Sequence, residues 1–234
     1  MERLKNEFKG WRLWELLWFA ANLAIILALS IYWNDSLIGI FSALTGVAYV
    51  VCNGKGKLMA YVFGVANAVL YTIVSWQARF YGEVMLNALY YLPMQFYGFY
   101  IWSKNMNTET GEVNKRRLSV KGRLQLVLAI SVISVAYGFV LRLIGGEMPF
   151  VDSLSTVVSV FAMVMSIKMC MEQWTLWFIV NAVSTVMWAV AFYRGSESIS
   201  TLVMWSVYLA NSIVMHLKWS YEIKKQNRKS PSEN

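Results

Sequence analysis

Apolar residues along this chain come in blocks of about 20, separated by short polar breaks. That is the length a helix needs to cross the hydrocarbon of a bilayer. The blocks predict eight membrane-spanning helices: 14–32, 36–52, 58–77, 82–102, 124–143, 153–167, 174–193 and 198–217. They do not alternate apolar and polar as barrel strands do, and lipid offers exposed backbone no hydrogen-bond partner, so the expected form is helix throughout. The first block has a basic lead and a passable cleavage site at Ala28-Leu29-Ser30. It is longer than a usual signal-peptide core and is read as a retained span. Its Glu15 and Asn22 are expected to bond to neighbouring helices.

Composition supports the same class. The hydrophobic share is 58% and the mean hydropathy is +0.46, above the roughly 45–50% apolar content of soluble domains. The formal net charge of +8 does not point to nucleic acid, because the charges lie in the breaks between blocks rather than on one patch. Their distribution orients the chain. Eight spans put both termini on one side, and that side collects 18 of the 21 lysines and arginines; Arg79, Arg142 and Arg194 alone fall on the other. Cytoplasmic loops carry the Lys/Arg excess. Both termini are therefore expected in the cytoplasm, with the chain in a plasma (bacterial inner) membrane. Cys52 and Cys170 match no disulfide or metal-ligand pattern and are read as buried packing residues.

A weak internal repeat divides the chain further. Asp35-Ser36-Leu37 recurs as Asp152-Ser153-Leu154, Tyr91-Leu92 as Tyr208-Leu209 and Trp102 as Trp219, each 117 residues on. Asn67 aligns with Asn181 after a short gap. The organisation expected is one transmembrane domain over 1–234: an extra N-terminal helix (14–32), a three-helix repeat (36–102), a linking helix (121–143), a second repeat (152–219) and a cytoplasmic tail (220–234). A single linking span gives both repeats the same orientation. Parallel repeats place a binding site where they face each other, near the midplane. The two Asp-Ser pairs are read as helix caps.

Polar side chains at membrane depth are expensive and mark candidate pathway residues. Asn67 and Asn181 lie near mid-span, and Asn211 slightly beyond it. Asn87, Tyr91 and Gln95 follow i, i+4, i+8 on one helix face, with Pro93 among them to kink the helix. The densest signal is Gln173-Trp174-Thr-Leu-Trp177-Phe-Ile-Val-Asn181, continued by Ser184 and Trp188 along one stripe. Two stacked indoles below a carboxamide suit a flat aromatic ring bearing hydrogen-bonding groups, and an indole face also attracts a cationic ring. The competing reading makes the asparagines interhelical glue and the tryptophans interface anchors; Trp33, Trp76, Trp102 and Trp219 are assigned to the interface. No carboxylate occupies the middle of a span, which favours facilitated diffusion over proton coupling. His216, near the inner boundary, is read as hydrogen-bonded structure. No catalytic or metal constellation and no cofactor site is apparent.

Trp174-x-x-Trp177-x-x-x-Asn181 preceded by Gln173, with the run from Asn87 through Pro93 and Gln95 to Trp102, resembles the signature of PnuC-type vitamin transporters over nearly the whole chain after the first span. The resemblance implies an all-α membrane protein with a SWEET-like 3+1+3 fold, commonly a homotrimer. It implies uptake of nicotinamide riboside by facilitated diffusion, with a separate cytoplasmic kinase trapping the substrate by phosphorylation. Trp174, Trp177 and Asn181 would line the substrate site, with Gln95, Tyr91 and Asn87 facing them. Thiamine or riboflavin carriers of the same family are the alternative, and a receptor or scaffold is a more distant one.

Overall fold

A computed structural model describes residues 7, 9–107, 109–143, 149–195 and 199–229. The helices are α1 (Leu13–Tyr32), α2 (Leu37–Lys55), α3 (Met59–Gln77), α4 (Tyr81–Met85), a π-helical segment (Leu86–Tyr91), α5 (Leu92–Lys104), α6 (Val120–Leu143), α7 (Pro149–Ile167), α8 (Glu172–Tyr193) and α9 (Ile199–Lys229). Six of them, α1, α2, α3, α6, α8 and α9, are long and apolar enough to cross a membrane, and a shorter apolar helix covers Ser153–Ile167. Their outward faces carry large apolar side chains: Leu124, Val127, Leu128 and Val132 on α6 are each more than half exposed. That is the pattern of a lipid-facing helix, not of a soluble core.

Two departures follow from local chemistry. The fourth predicted span is not one regular helix. Proline has no N–H for the ladder, and its ring clashes with the carbonyl four residues back. The chain absorbs this upstream of Pro93 by opening into the π-helical turn, a form common at functional positions. The last helix runs well past the expected 217, to Lys229, because the segment predicted as tail stays helical. A two-stranded antiparallel ribbon, Met106–Asn107 (β1) with Glu112–Val113 (β2), was not foreseen.

The chain divides into two compact units. The first contains residues 1–114 and 184–211, the second 115–183 and 212–234. In the first, α2 packs antiparallel on α3, with α1 and α5 against that pair. Ser36 caps α2 as expected, its Oγ accepting from the Gly39 N–H at 3.0 Å. Asp35 accepts from both the N–H and the hydroxyl of Ser200, at 2.8 and 2.5 Å. In the second unit α6 packs against α7. The expected cap there fails: α7 starts at Pro149, so Ser153 lies inside the helix, fully buried, donating to the Ser134 carbonyl at 2.6 Å. Asp152's side chain lies outside the described residues.

One end of the first unit is held by buried charge. Lys55 Nζ reaches Glu15 Oε2 at 2.7 Å, Glu112 Oε1 at 3.0 Å and the Gly10 carbonyl at 2.6 Å. Lys57, fully buried, donates to the carbonyls of Lys9 and Gly111, each at 2.8 Å. Two lysines thus tie the N-terminal segment, the α2–α3 turn and the β ribbon together. Glu7 accepts from the Met59 N–H, and burial lifts its carboxyl above the ordinary range against that bond and the Lys57 charge. Glu15 bonds to another helix as expected, but Asn22 does not: its amide turns back to the Trp18 carbonyl of its own helix. Both cysteines are buried and free. Burial pushes the Cys170 thiol up, with Arg116 opposing, which makes it a poor nucleophile.

Removing one partner of a buried ion pair strands the other charge, at a cost of about 3–5 kcal/mol. Lys55→Met should therefore lower the thermal midpoint of the purified protein strongly. Lys104→Met, at an exposed residue whose ammonium among the described residues meets Tyr100 alone, should leave it nearly unchanged.

Candidate substrate site

In the first unit the polar residues of α3 form a stripe at helical spacing: Asn67, Tyr71 and Ser75. Asn67 Nδ2 donates to the Ser42 carbonyl at 2.8 Å, and its Oδ1 accepts from the Tyr208 hydroxyl at 3.4 Å. It joins α2, α3 and α9, the glue role weighed for it above. Gly46 makes this possible, since a Cβ there would overlap Tyr208, Met204 and Asn67. Asn211 is likewise tied, its amide donating to the Val50 carbonyl at 3.2 Å, but its buried Oδ1 has no partner among the described residues.

Tyr71 escaped the sequence reading, although its place four residues after Asn67 was a usable signal. Its buried oxygen accepts from the indole N–H of Trp188 at 2.8 Å and of Trp205 at 3.1 Å. Trp188 is fully buried and meets Phe80 edge-on at 5.0 Å. Both its faces and its N–H are thus committed to protein. It was expected to touch substrate; in this structure it braces an aromatic cluster instead.

Gln95 behaves differently. It is buried beside Gly64, where any Cβ would collide with its carboxamide, and its Oε1 has no partner among the described residues. A buried acceptor without a bond costs about 1–3 kcal/mol, so this one is available to something that donates. Asn87, on the π-helical segment, is buried and donates to the Glu83 carbonyl at 2.9 Å. Tyr91, half-buried, has its ring 5.5 Å from that of Tyr90.

In the second unit the tryptophan motif opens α8. Gln173 is fully buried, and neither atom of its carboxamide has a partner among the described residues. The buried indole N–H of Trp174 has none either. A donor and acceptor pair and a further donor thus lie side by side in sequence with bonds to give. Trp174 does not stack on Trp177. Its ring meets Trp219 edge-on at 5.6 Å, within a cluster of Met171, Met215 and Ile223 against which Trp177 packs. Asn181 is buried one helical stretch further along. A shallow groove of about 220 Å³ opens beside the motif, lined by Trp174, Phe178, Ile213, Leu217 and the Thr175–His216 pair. His216 is hydrogen-bonded to Thr175 at 3.3 Å, the structural role expected of it.

Two interface assignments are corrected. Trp33 and Trp76 are exposed as anchors should be, but Trp102 and Trp219 are fully buried. Each closes an aromatic contact inside its own unit, Trp102 on Tyr61 at 5.1 Å and Trp219 on Trp174. Both tryptophans thus share an environment: proximity to a span end did not decide exposure, and helix packing did.

The family model of the nicotinamide mononucleotide transporters matches residues 36–221. The chain belongs to this family. It is 37% identical to a nicotinamide riboside transporter PnuC from Neisseria mucosa, over 94% of this chain and 86% of that one. It is 33% identical to the Haemophilus influenzae protein of the same name, over 96% and 98%. Its fold matches the crystal structure of a vitamin B3 transporter PnuC with a TM-score of 0.86, at 37% identity, over 95% of this chain and 97% of the other. These relatives are named as transporters, not enzymes, and the chain is accordingly a multi-pass membrane protein of a transporter family.

The Tyr71 assembly gives a direct test. Tyr71→Phe removes one acceptor and strands two buried indole donors, at about 1–3 kcal/mol for each. The variant should unfold at a clearly lower temperature, while Tyr193→Phe, at an exposed side chain, should not.

Proposed function

We propose that the protein carries nicotinamide riboside into the cell across the inner membrane by facilitated diffusion, with a separate cytoplasmic kinase trapping the substrate by phosphorylation. The observation that carries this reading is a group of buried side chains, among the several with an atom that has no partner among the described residues: Gln95 in one unit, Gln173 and Trp174 in the other. The nicotinamide ring bears a primary amide and the ribose bears hydroxyls, which are complementary donors and acceptors. Aromatic surface for the ring comes from Trp174 and Trp177.

The names in the family differ by a phosphate, and the chain's own charge favours the riboside. Every lysine and arginine lies toward a span end or in a break, and the buried pair, Lys55 and Lys57, is taken up by carboxylates and carbonyls. A phosphate dianion would meet no cation at mid-span, whereas a neutral sugar needs none.

The site residues proposed are Trp174, Trp177, Asn181, Gln173, Gln95, Asn87 and Tyr91; Asn67, Asn211 and Trp188 support the helices around them. The proposal keeps the parallel 3+1+3 repeat arrangement, cytoplasmic termini and a homotrimeric assembly. The repeat receives support from the shared burial of Trp102 and Trp219, and the orientation from the charge distribution.

Purified protein in liposomes should equilibrate nicotinamide riboside with no proton or sodium gradient; uptake that requires either gradient contradicts the mechanism. Asn181→Ala should weaken binding by about 1–3 kcal/mol by stranding polar groups of the ligand. A folded variant with wild-type affinity removes Asn181 from the site.

A further inference from the structure

Carboxylates on or beside the spans are matched almost everywhere. Glu15 and Glu112 share Lys55, Glu172 pairs with Arg123 at 3.7 Å and caps the Leu118 N–H, and Glu222 meets Lys115 at 2.6 Å. Asp35 takes the Ser200 N–H and hydroxyl. Glu83 is the exception among the described residues. It sits on α4 at the end of the first unit that also holds Arg79 and Phe80, only partly exposed, and no lysine or arginine reaches it. Its side chain has one contact, a long one of 3.5 Å from Asn87 Nδ2, an amide already committed to the Glu83 carbonyl at 2.9 Å. Arg79, four residues back, is exposed and makes no ion pair with it.

The surroundings are suited to a cation. Glu83 lies within electrostatic range of the Tyr71 hydroxyl, which is held by Trp188 and Trp205. Phe80 and the Trp76–Tyr81 pair, 5.4 Å apart, supply aromatic surface on the same stretch of chain. Directly after Glu83 the helix opens into the π turn that carries Asn87 and Tyr91. A half-buried carboxylate without a cation is costly in a membrane protein. A partly buried carboxylate with no cation beside it, on an aromatic stretch of chain just ahead of an irregular turn, is an arrangement that attracts an organic cation.

We infer that Glu83, with Asn87 beside it, is an entry subsite that recognises the positive charge of the pyridinium ring of the transported riboside. This rests on the nicotinamide riboside reading and adds a selectivity that the reading does not contain. The subsite discriminates the oxidised, cationic ring from the reduced dihydropyridine ring, which has nearly the same shape and no charge. A unit charge about 10 Å from a carboxylate at an effective dielectric near 20 gains on the order of a tenfold preference.

The experiment measures the affinity of purified protein for nicotinamide riboside and for its 1,4-dihydro form, in wild type, Glu83→Gln and Glu83→Asp. Wild type should favour the cation about tenfold. Glu83→Gln keeps the shape and an Asn87 contact; it should lose that preference and leave the neutral form's affinity unchanged. Glu83→Asp should retain most of the preference. Thermal midpoints equal to wild type establish that the variants are folded, and the wild-type comparison stands without them. Equal wild-type affinities, a preference that survives in Glu83→Gln, or a parallel loss for both forms each overturn the inference and leave the proposed function intact. Wild-type protein that binds neither form overturns both.

Discussion

Water does not reach the inside of a bilayer, so a polar group placed there must find its bond within the protein or in what passes through it. That constraint sorts the buried polar residues of this chain into two kinds. Asn67, Tyr71 and Ser153 bond to neighbouring helices and hold them in place. Gln95, Gln173 and the Trp174 indole are buried as deeply and have atoms with no bond among the described residues. A buried acceptor or donor left without a bond costs about 1–3 kcal/mol, and the proposed function assigns those of Gln95, Gln173 and Trp174 to the ligand. Close packing supports the division: Gly64 leaves room for the Gln95 carboxamide, and Gly46 lets Tyr208 reach Asn67.

At the other extreme of polarity, Lys55 and Lys57 show how a charge is kept inside. Lys55 is held by Gly10, Glu15 and Glu112, and Lys57 by the carbonyls of Lys9 and Gly111. The opposite end of the first unit carries the Asp35–Ser200 bonds and the π turn before Pro93. Glu83 lies at that end.

Hydrophobic periodicity and length made the helices legible, since a run of about 20 apolar residues has few other fates. The Ser36 cap and the buried cysteines followed from local chemistry alone. Features that depend on distant partners were not legible. The lysine cluster joins residues 40 to 57 apart in sequence (Lys55 to Glu15 and to Glu112), and no local pattern marks it. Trp102 and Trp219 sit near span ends, where interface anchors are the ordinary outcome, and only tertiary packing turned them inward. Trp188 carried the right spacing for the ligand stripe, but spacing cannot reveal that Tyr71 holds its N–H. Ser153 lost its capping role because α7 begins one turn earlier than its apolar run.

A structure of the protein with nicotinamide riboside bound tests the central claim most directly. The account predicts that the carboxamide or ribose hydroxyls of the ligand lie within hydrogen-bonding distance of Gln95 Oε1 or of the Gln173 and Trp174 side chains. Ordered water satisfying those atoms, with the ligand held elsewhere, would contradict it.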